Sequence, residues 1–201
     1  MTPAILLVHG GLWEDMNADR FWIRPGVVAG LERNFRVLAP DRQRMPDWHA
    51  EARQLAAVLP PEPVPVVAGS NGCSAAVRLA LALPERVSRL VLAWPATAGD
   101  PTVDARARAD LAAAGASAEM VRDLLAGETL RGVADRELAA LAMPVGVVPS
   151  VPDNPEHQRR TVDALLRTVP GAVELPGCPE SPRPGFSAGV LVDSVTGFAL
   201  P

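Results

Sequence analysis

The sequence predicts an α/β protein built on a mostly parallel, doubly wound sheet with a short helical cap. Three observations predict it. Short apolar runs bounded by turn residues alternate with segments of helical period along the chain. One of those runs, Val64–Ala68, passes through a turn of small residues directly into a helical segment. And residues 100–142 are rich in alanine, arginine and leucine, with strand patterns on either side and none within.

The expected strands are Ala4–Val8, Arg36–Ala39, Val64–Ala68, Ser88–Ala93, Val145–Val148 and Ala172–Leu175. The expected helices are Arg24–Arg33, Asp47–Leu59, Asn71–Leu83, Pro155–Val169 and about Phe186–Phe198. Pro84 stops the third helix, because its ring cannot continue one. Asn154 is placed to cap the fourth, with Pro155 at its first position, where a missing N–H costs nothing. Within 100–142, Ser117 and Asp135 stand as N-caps of short helices. The reading is one domain over 1–201 with a cap insertion at about 100–142. Ligands of open α/β sheets bind at the carboxyl ends of the strands, where such an insertion forms a lid.

Composition narrows the chemistry. The chain has 201 residues, 48% of them hydrophobic, which suits one core. Net charge is −4 and the basic residues are scattered, so neither a nucleic-acid partner nor an acidic membrane surface is indicated. No leader and no membrane-length apolar run is read, so a cytoplasmic protein acting on a small molecule is expected, with oligomeric state open. Every basic residue is an arginine; the absence of lysine excludes a lysine Schiff base and a Walker-type phosphate loop. Tyrosine is absent, which excludes a tyrosine acid. The two cysteines, Cys73 and Cys178, lack zinc spacing and are too few for a disulfide framework. No metal and no cofactor is expected. Any imidazole-dependent chemistry has three candidates: His9, His49 and His157.

The most informative stretch is VPVVAGSNGCSAAVRLALALPERV. A buried strand, the turn Ala68-Gly69-Ser70-Asn71-Gly72 and a helix follow one another directly. A strained strand-to-helix turn of this kind needs small residues two positions either side of its central residue, and Ala68 and Gly72 supply them. It lifts the Ser70 hydroxyl above the sheet and aims the Asn71 backbone N–H at a reacting oxygen. The plainer alternative makes Ser70 only the N-cap of the helix. The first strand ends in His9-Gly10-Gly11-Leu12-Trp13. Glycines let backbone approach a substrate, so Gly11 or Leu12 is the candidate for a second oxyanion N–H. A nucleotide loop is a weaker reading, since no GxGxxG is present.

ILLVHGGLW, VLAPDR, VVAGSNGCSAA followed by LPERVSRLVLAWPA, MPVGVVPSVPDNP and VELPGCPES resemble, in this order, the α/β-hydrolase superfamily. The resemblance covers nearly the whole chain and implies a member lacking the usual first antiparallel strands. It implies that Ser70 is the nucleophile and that Asp153, on the loop after Val145–Val148, is the acid. Asp153 also suits the N-terminus of the following helix through the macrodipole. The pattern then departs. The family's histidine follows the last strand in a context similar to LPGxGH, and here Leu175-Pro176-Gly177-Cys178-Pro179-Glu180 puts Glu180 in that slot. His9 belongs to the glycine loop, and His49 to the start of a helix. His157, four residues past Asp153 in the first turn of a helix, has an approach to Ser70 open to it.

A Ser70–Glu180–Asp153 site would place two carboxylates together and raise one pKa of the pair, so that a carboxylate assists the serine. Three readings compete: a hydrolase of a small ester, thioester or lactone; an isomerase, lyase or cyclase using the carboxylates; and an inactive fold that binds a ligand or partner. Trp13 and Trp94 are candidate pocket aromatics, with ordinary core packing as the alternative for both. Cys73 reads as a small core residue, and Glu14 and Asp15 as solvated surface.

Overall fold

The computed structural model describes residues 2–200; residues 1 and 201 lie outside it. The first strand, β1 (Ala4–Val8), is apolar at all five positions and fully buried, as a strand covered on both faces must be. It lies between β2 (Arg36–Leu38) and β3 (Val64–Gly69), followed outward by β4 (Val87–Ala93), β5 (Val145–Val148) and β6 (Val173–Glu174). The order β2-β1-β3-β4-β5-β6 places β3 near the middle, and every neighbouring pair is parallel.

Alternation along each strand divides the core into two layers. Ile5, Leu7, Val67 and Val91 pack with Val27 and Leu31 of α1 (Val27–Leu31) and with Leu191 and Val195 of α8 (Ala188–Ala199). Leu6, Val8, Val66, Leu90 and Leu92 face the other way. They meet Leu55 of α2 (Trp48–Ala56), Leu79 of α3 (Gly72–Ala82) and Leu165 of α7 (Arg159–Thr168). Each such fully buried aliphatic contributes about 1.5–3 kcal/mol, so the sheet is held from both sides.

Between β4 and β5 stand α4 (Pro101–Ala113), α5 (Ala118–Leu124) and α6 (Asp135–Leu138). Asp100 and Ser117 cap the first two through backbone N–H groups. Leu111, Val121, Leu124 and Leu138 from these helices join the α3-side core, and Trp48 donates its indole N–H to the Leu124 carbonyl at 2.9 Å. Arg78 of α3 holds the Gly132 carbonyl and the Glu137 carboxylate. Among the described residues no helix is long and apolar enough to cross a membrane.

The fourth expected helix starts later than its Asn-Pro signal suggests. Asn154 Oδ1 accepts from the N–H of Glu156 and of His157, closing a separate turn, and α7 begins only at Arg159. Asparagine side chains stabilise such turns as readily as they cap helices. His157 therefore sits on a loop over the strand ends rather than on a helix.

Candidate active site

Ser70 follows β3 with φ of 52°, a left-handed backbone that a non-glycine residue adopts only when its surroundings impose it. Its N–H donates to the Ala93 carbonyl at 3.0 Å, and α3 starts two residues later. Gly72 is required by close approach: a Cβ there would lie 2.5 Å from the His9 carbonyl oxygen and 2.8 Å from that of Val8. The turn is thus wedged against the end of β1, leaving Ser70 partly accessible while its neighbours are buried.

Two loops converge on the hydroxyl. His157 Nε2 lies 2.9 Å from Ser70 Oγ. On the far side of the ring, Nδ1 lies 3.4 Å from Glu180 Oε1. That is longer than a hydrogen bond, and Nδ1 has no hydrogen-bond partner among the described residues. Glu180 comes from the loop after β6, which stays registered with the loop after β5. Cys178 N–H donates to the Pro149 carbonyl and Val151 N–H to the Cys178 carbonyl, extending the ladder beyond the named strands. The carboxylate accepts from Ser150 Oγ at 2.6 Å and Asn154 Nδ2 at 2.9 Å, with Arg183 Nε at 2.8 Å. Burial pushes the Glu180 carboxyl up, but the nearby His157 ring and the hydrogen bond from Ser150 outweigh it and bring the pKa down to about 2. Glu180 is therefore an anion at any pH where an imidazole acts as a base.

The glycine loop lies against the same turn, since a Cβ on Gly10 would stand 3.0 Å from Ser70 Cβ. Gly11 has φ of 91°, which favours glycine. The N–H groups of Gly11, Leu12 and Asn71 donate to no protein acceptor among the described residues. Above the turn, Arg131 from the α5–α6 connection donates from Nη1 to Asn71 Oδ1 at 3.0 Å and pairs with Asp104. Chemically, the arrangement sets a serine hydroxyl, an imidazole and a carboxylate in series, a set of groups able to pass a proton from the hydroxyl to the ring.

Solved structures share this architecture over nearly the whole chain. A lipase-esterase related protein from Clostridium acetobutylicum superposes with a TM-score of 0.71 at 13% identity, covering 98% of this chain and 94% of that one. The chain has the α/β-hydrolase fold. A carboxylesterase from Bacillus subtilis matches with a TM-score of 0.68 at 20% identity, over 98% and 83% of the two chains. An enol-lactonase from Burkholderia xenovorans matches with a TM-score of 0.69 at 18% identity, over 98% and 91%. No sequence-family profile matches the chain, and no curated protein sequence matches it.

The two loops that reach Ser70 carry residue types other than those the resemblance implies. The loop after β5, where the resemblance implies an acid, contributes His157; the loop after β6, where it implies a histidine, contributes Glu180. Asp153 is corrected by the structure. It is exposed, and its Oδ1 accepts from the Arg159 N–H at 2.8 Å, so it serves the start of α7 and does not join Ser70. The shared-carboxylate site expected of Asp153 and Glu180 is accordingly not formed. Trp94 is corrected as well. It is fully buried against Trp22 and Phe186, with Nε1 donating to the Cys178 carbonyl, and lines no opening at Ser70. Trp13 is half-buried beside the glycine loop on the Arg42 side, its Nε1 donating to the Met45 carbonyl. The Leu12 side chain belongs to the core. Burial pushes the Cys73 thiol up strongly and the Cys178 thiol up to about 11, so neither is a nucleophile near neutral pH. Among the described residues no group of three or more His, Cys, Asp or Glu is arranged to hold a metal ion. The sequence did not single out Arg42, Arg131 or Ser150 and offered Asn154 only as a helix cap; each acts here through a tertiary contact that spacing does not encode.

Proposed function

We propose that the protein is a serine hydrolase of small esters, thioesters or lactones, using Ser70 as nucleophile, His157 as base and Glu180 as the anion that orients it. The observation carrying this reading is the 2.9 Å contact between Ser70 Oγ and His157 Nε2, with an ionised Glu180 behind the ring. Ser70 Oγ attacks the substrate carbonyl as its proton passes to His157 Nε2. The developing oxyanion is received by the N–H groups of Gly11 and Asn71. His157 returns the proton to the leaving oxygen or sulfur, giving an acyl-Ser70 that water, deprotonated by the same imidazole, then hydrolyses. Helices α4–α6 act as the lid over this site.

The structural neighbours support the class, since their names include a carboxylesterase, a thioesterase domain and an enol-lactonase. The imidazole at Ser70 weakens the case for an inactive fold and for direct use of Glu180 as the base. The test is turnover of p-nitrophenyl acetate, a short-chain acyl thioester and a simple lactone by wild type and Ser70→Ala. Hydrolysis of at least one, lost by about 10³-fold or more in Ser70→Ala, is the expected result. Equal rates in the two proteins would overturn the proposal.

A further inference from the structure

Beneath the glycine loop lies a buried ion pair that the reaction above does not use. Arg42 and Glu51 have side chains 5% and 2% exposed, and Arg42 Nε and Nη2 both donate to Glu51 Oε2, at 2.9 and 2.6 Å. Glu51 stands on α2, whose start is fixed by Asp47 accepting from the Ala50 N–H at 2.7 Å. Desolvating two charges is costly, and well-packed apolar residues would often be as stable or more so. The pair is therefore a poor device for stability alone.

Its geometry suggests another use. Arg42 Nη1 donates to three consecutive carbonyl oxygens, those of His9 at 2.7 Å, Gly10 at 3.2 Å and Gly11 at 3.0 Å. A trans peptide is planar, so its C=O and the following N–H point in opposite directions. Drawing the Gly10 carbonyl onto Arg42 turns the Gly11 N–H away from it, and drawing the Gly11 carbonyl does the same for Leu12. The His9 ring locks the arrangement from a second side: Nδ1 lies 2.7 Å from the Gly10 carbonyl, while Nε2 accepts from the Arg42 backbone N–H at 2.9 Å. Burial, and then the Arg42 charge, bring His9 down to about 4. It therefore stays neutral at neutral pH, with Nδ1–H as donor and Nε2 as acceptor. Both flexible glycines are thereby held in one conformation without any side chain of their own.

We infer that Arg42, backed by Glu51, is the positioning residue of the oxyanion hole, fixing the Gly11 N–H for the transition state. The inference rests on the serine-hydrolase reading of Ser70. Removing a single oxyanion donor commonly costs about 10²–10³-fold in kcat, and a donor left in place but misaligned costs part of that. Lysine cannot substitute, because a single ammonium lacks the fork that reaches Glu51 and three carbonyls together.

The experiment compares wild type, Arg42→Lys and the apolar double variant Arg42→Met/Glu51→Leu, which avoids an unpaired buried carboxylate. Each is checked for folding by circular dichroism. The readouts are kcat and KM for p-nitrophenyl acetate and Ki for an alkyl trifluoromethyl ketone, whose adduct with a serine carries an oxyanion. The expected result is a fall in kcat of about tenfold or more, with KM little changed and Ki rising in proportion to the loss of kcat/KM. Folded variants with wild-type kcat and Ki would overturn the inference while leaving the triad standing. A loss confined to KM would overturn it too. Wild type that neither turns over nor binds the ketone would instead remove the serine-hydrolase reading, and the inference with it.

Discussion

Replacing Glu180 by glutamine keeps the side chain's size and removes its charge, which makes it the most informative single perturbation of the site. The carboxylate is surrounded by donors from Ser150, Asn154 and Arg183, with His157 Nδ1 3.4 Å away. A glutamine amide presents one acceptor oxygen, and its NH₂ would meet a donor on the other side. Two consequences follow. The folded-state pKa of about 2 lies below the ordinary 4.5, so Glu180 contributes stability that is fully present above pH 4.5 and lost as pH falls through 2. Each pKa unit corresponds to about 1.4 kcal/mol; discounted for the site's open side, Glu180→Gln should cost about 2 kcal/mol at pH 7. Catalytically, the imidazole loses the anion that orients it and stabilises its protonated form, and kcat should fall by about 10³–10⁴-fold. Asp153→Asn is the control, because that carboxylate serves only the start of α7; its kcat should stay within about twofold of wild type. The assay is p-nitrophenyl acetate hydrolysis at 25 °C, with urea unfolding of each variant alongside. If Asp153→Asn lost the activity and Glu180→Gln kept it, the assignment of the acid would be refuted.

Two further predictions concern the framework. Gly72→Ala drives a methyl group into the backbone at the end of β1 and should destabilise the fold by about 1–3 kcal/mol in urea unfolding, with activity falling as the turn shifts; unchanged stability would contradict the wedged turn. His9 has its pKa lowered from 6.5 to about 4, so the unfolded state binds the extra proton first, and stability present above pH 6.5 is lost as pH falls through 4. The loss amounts to about 3 kcal/mol at most, and His9→Gln should flatten the urea midpoint between pH 6.5 and 4; an equally steep variant would contradict it.

The parallel sheet and the turn at Ser70 were legible because their signals are local. Strands covered on both faces read as continuous apolar runs, and the strained turn demands Ala68 and Gly72 within five residues of sequence. Glu180 was also legible as the residue occupying the slot after the last strand. What the sequence did not reveal was its partner. Asn154-Pro155 carries the same local signal whether it opens a helix or closes a separate turn, and only the turn delivers His157 to Ser70. The choice is made by tertiary contacts: Thr97 receives the Gln158 N–H on its hydroxyl and donates its own N–H to the Glu156 carbonyl. Of the three histidines, His157 had an approach to Ser70 open to it, whereas the family order put Asp153 in the acid's slot and Glu180 in the histidine's. Trp94 was misleading for a related reason, since a residue at the end of a central strand can point into either layer, and φ of 49° turns this one into the α8-side core.

Activation of Ser70 by His157, from the loop after β5, has a direct chemical readout. Intact-mass measurement after incubation with a fluorophosphonate, with peptide mapping of the adduct, tests it most directly. The expected result is one phosphonyl group on Ser70 in wild type, no adduct in Ser70→Ala, and labelling slowed by about 10³-fold or more in folded His157→Ala. Labelling of His157→Ala at the wild-type rate, or an adduct on any other residue, would contradict it.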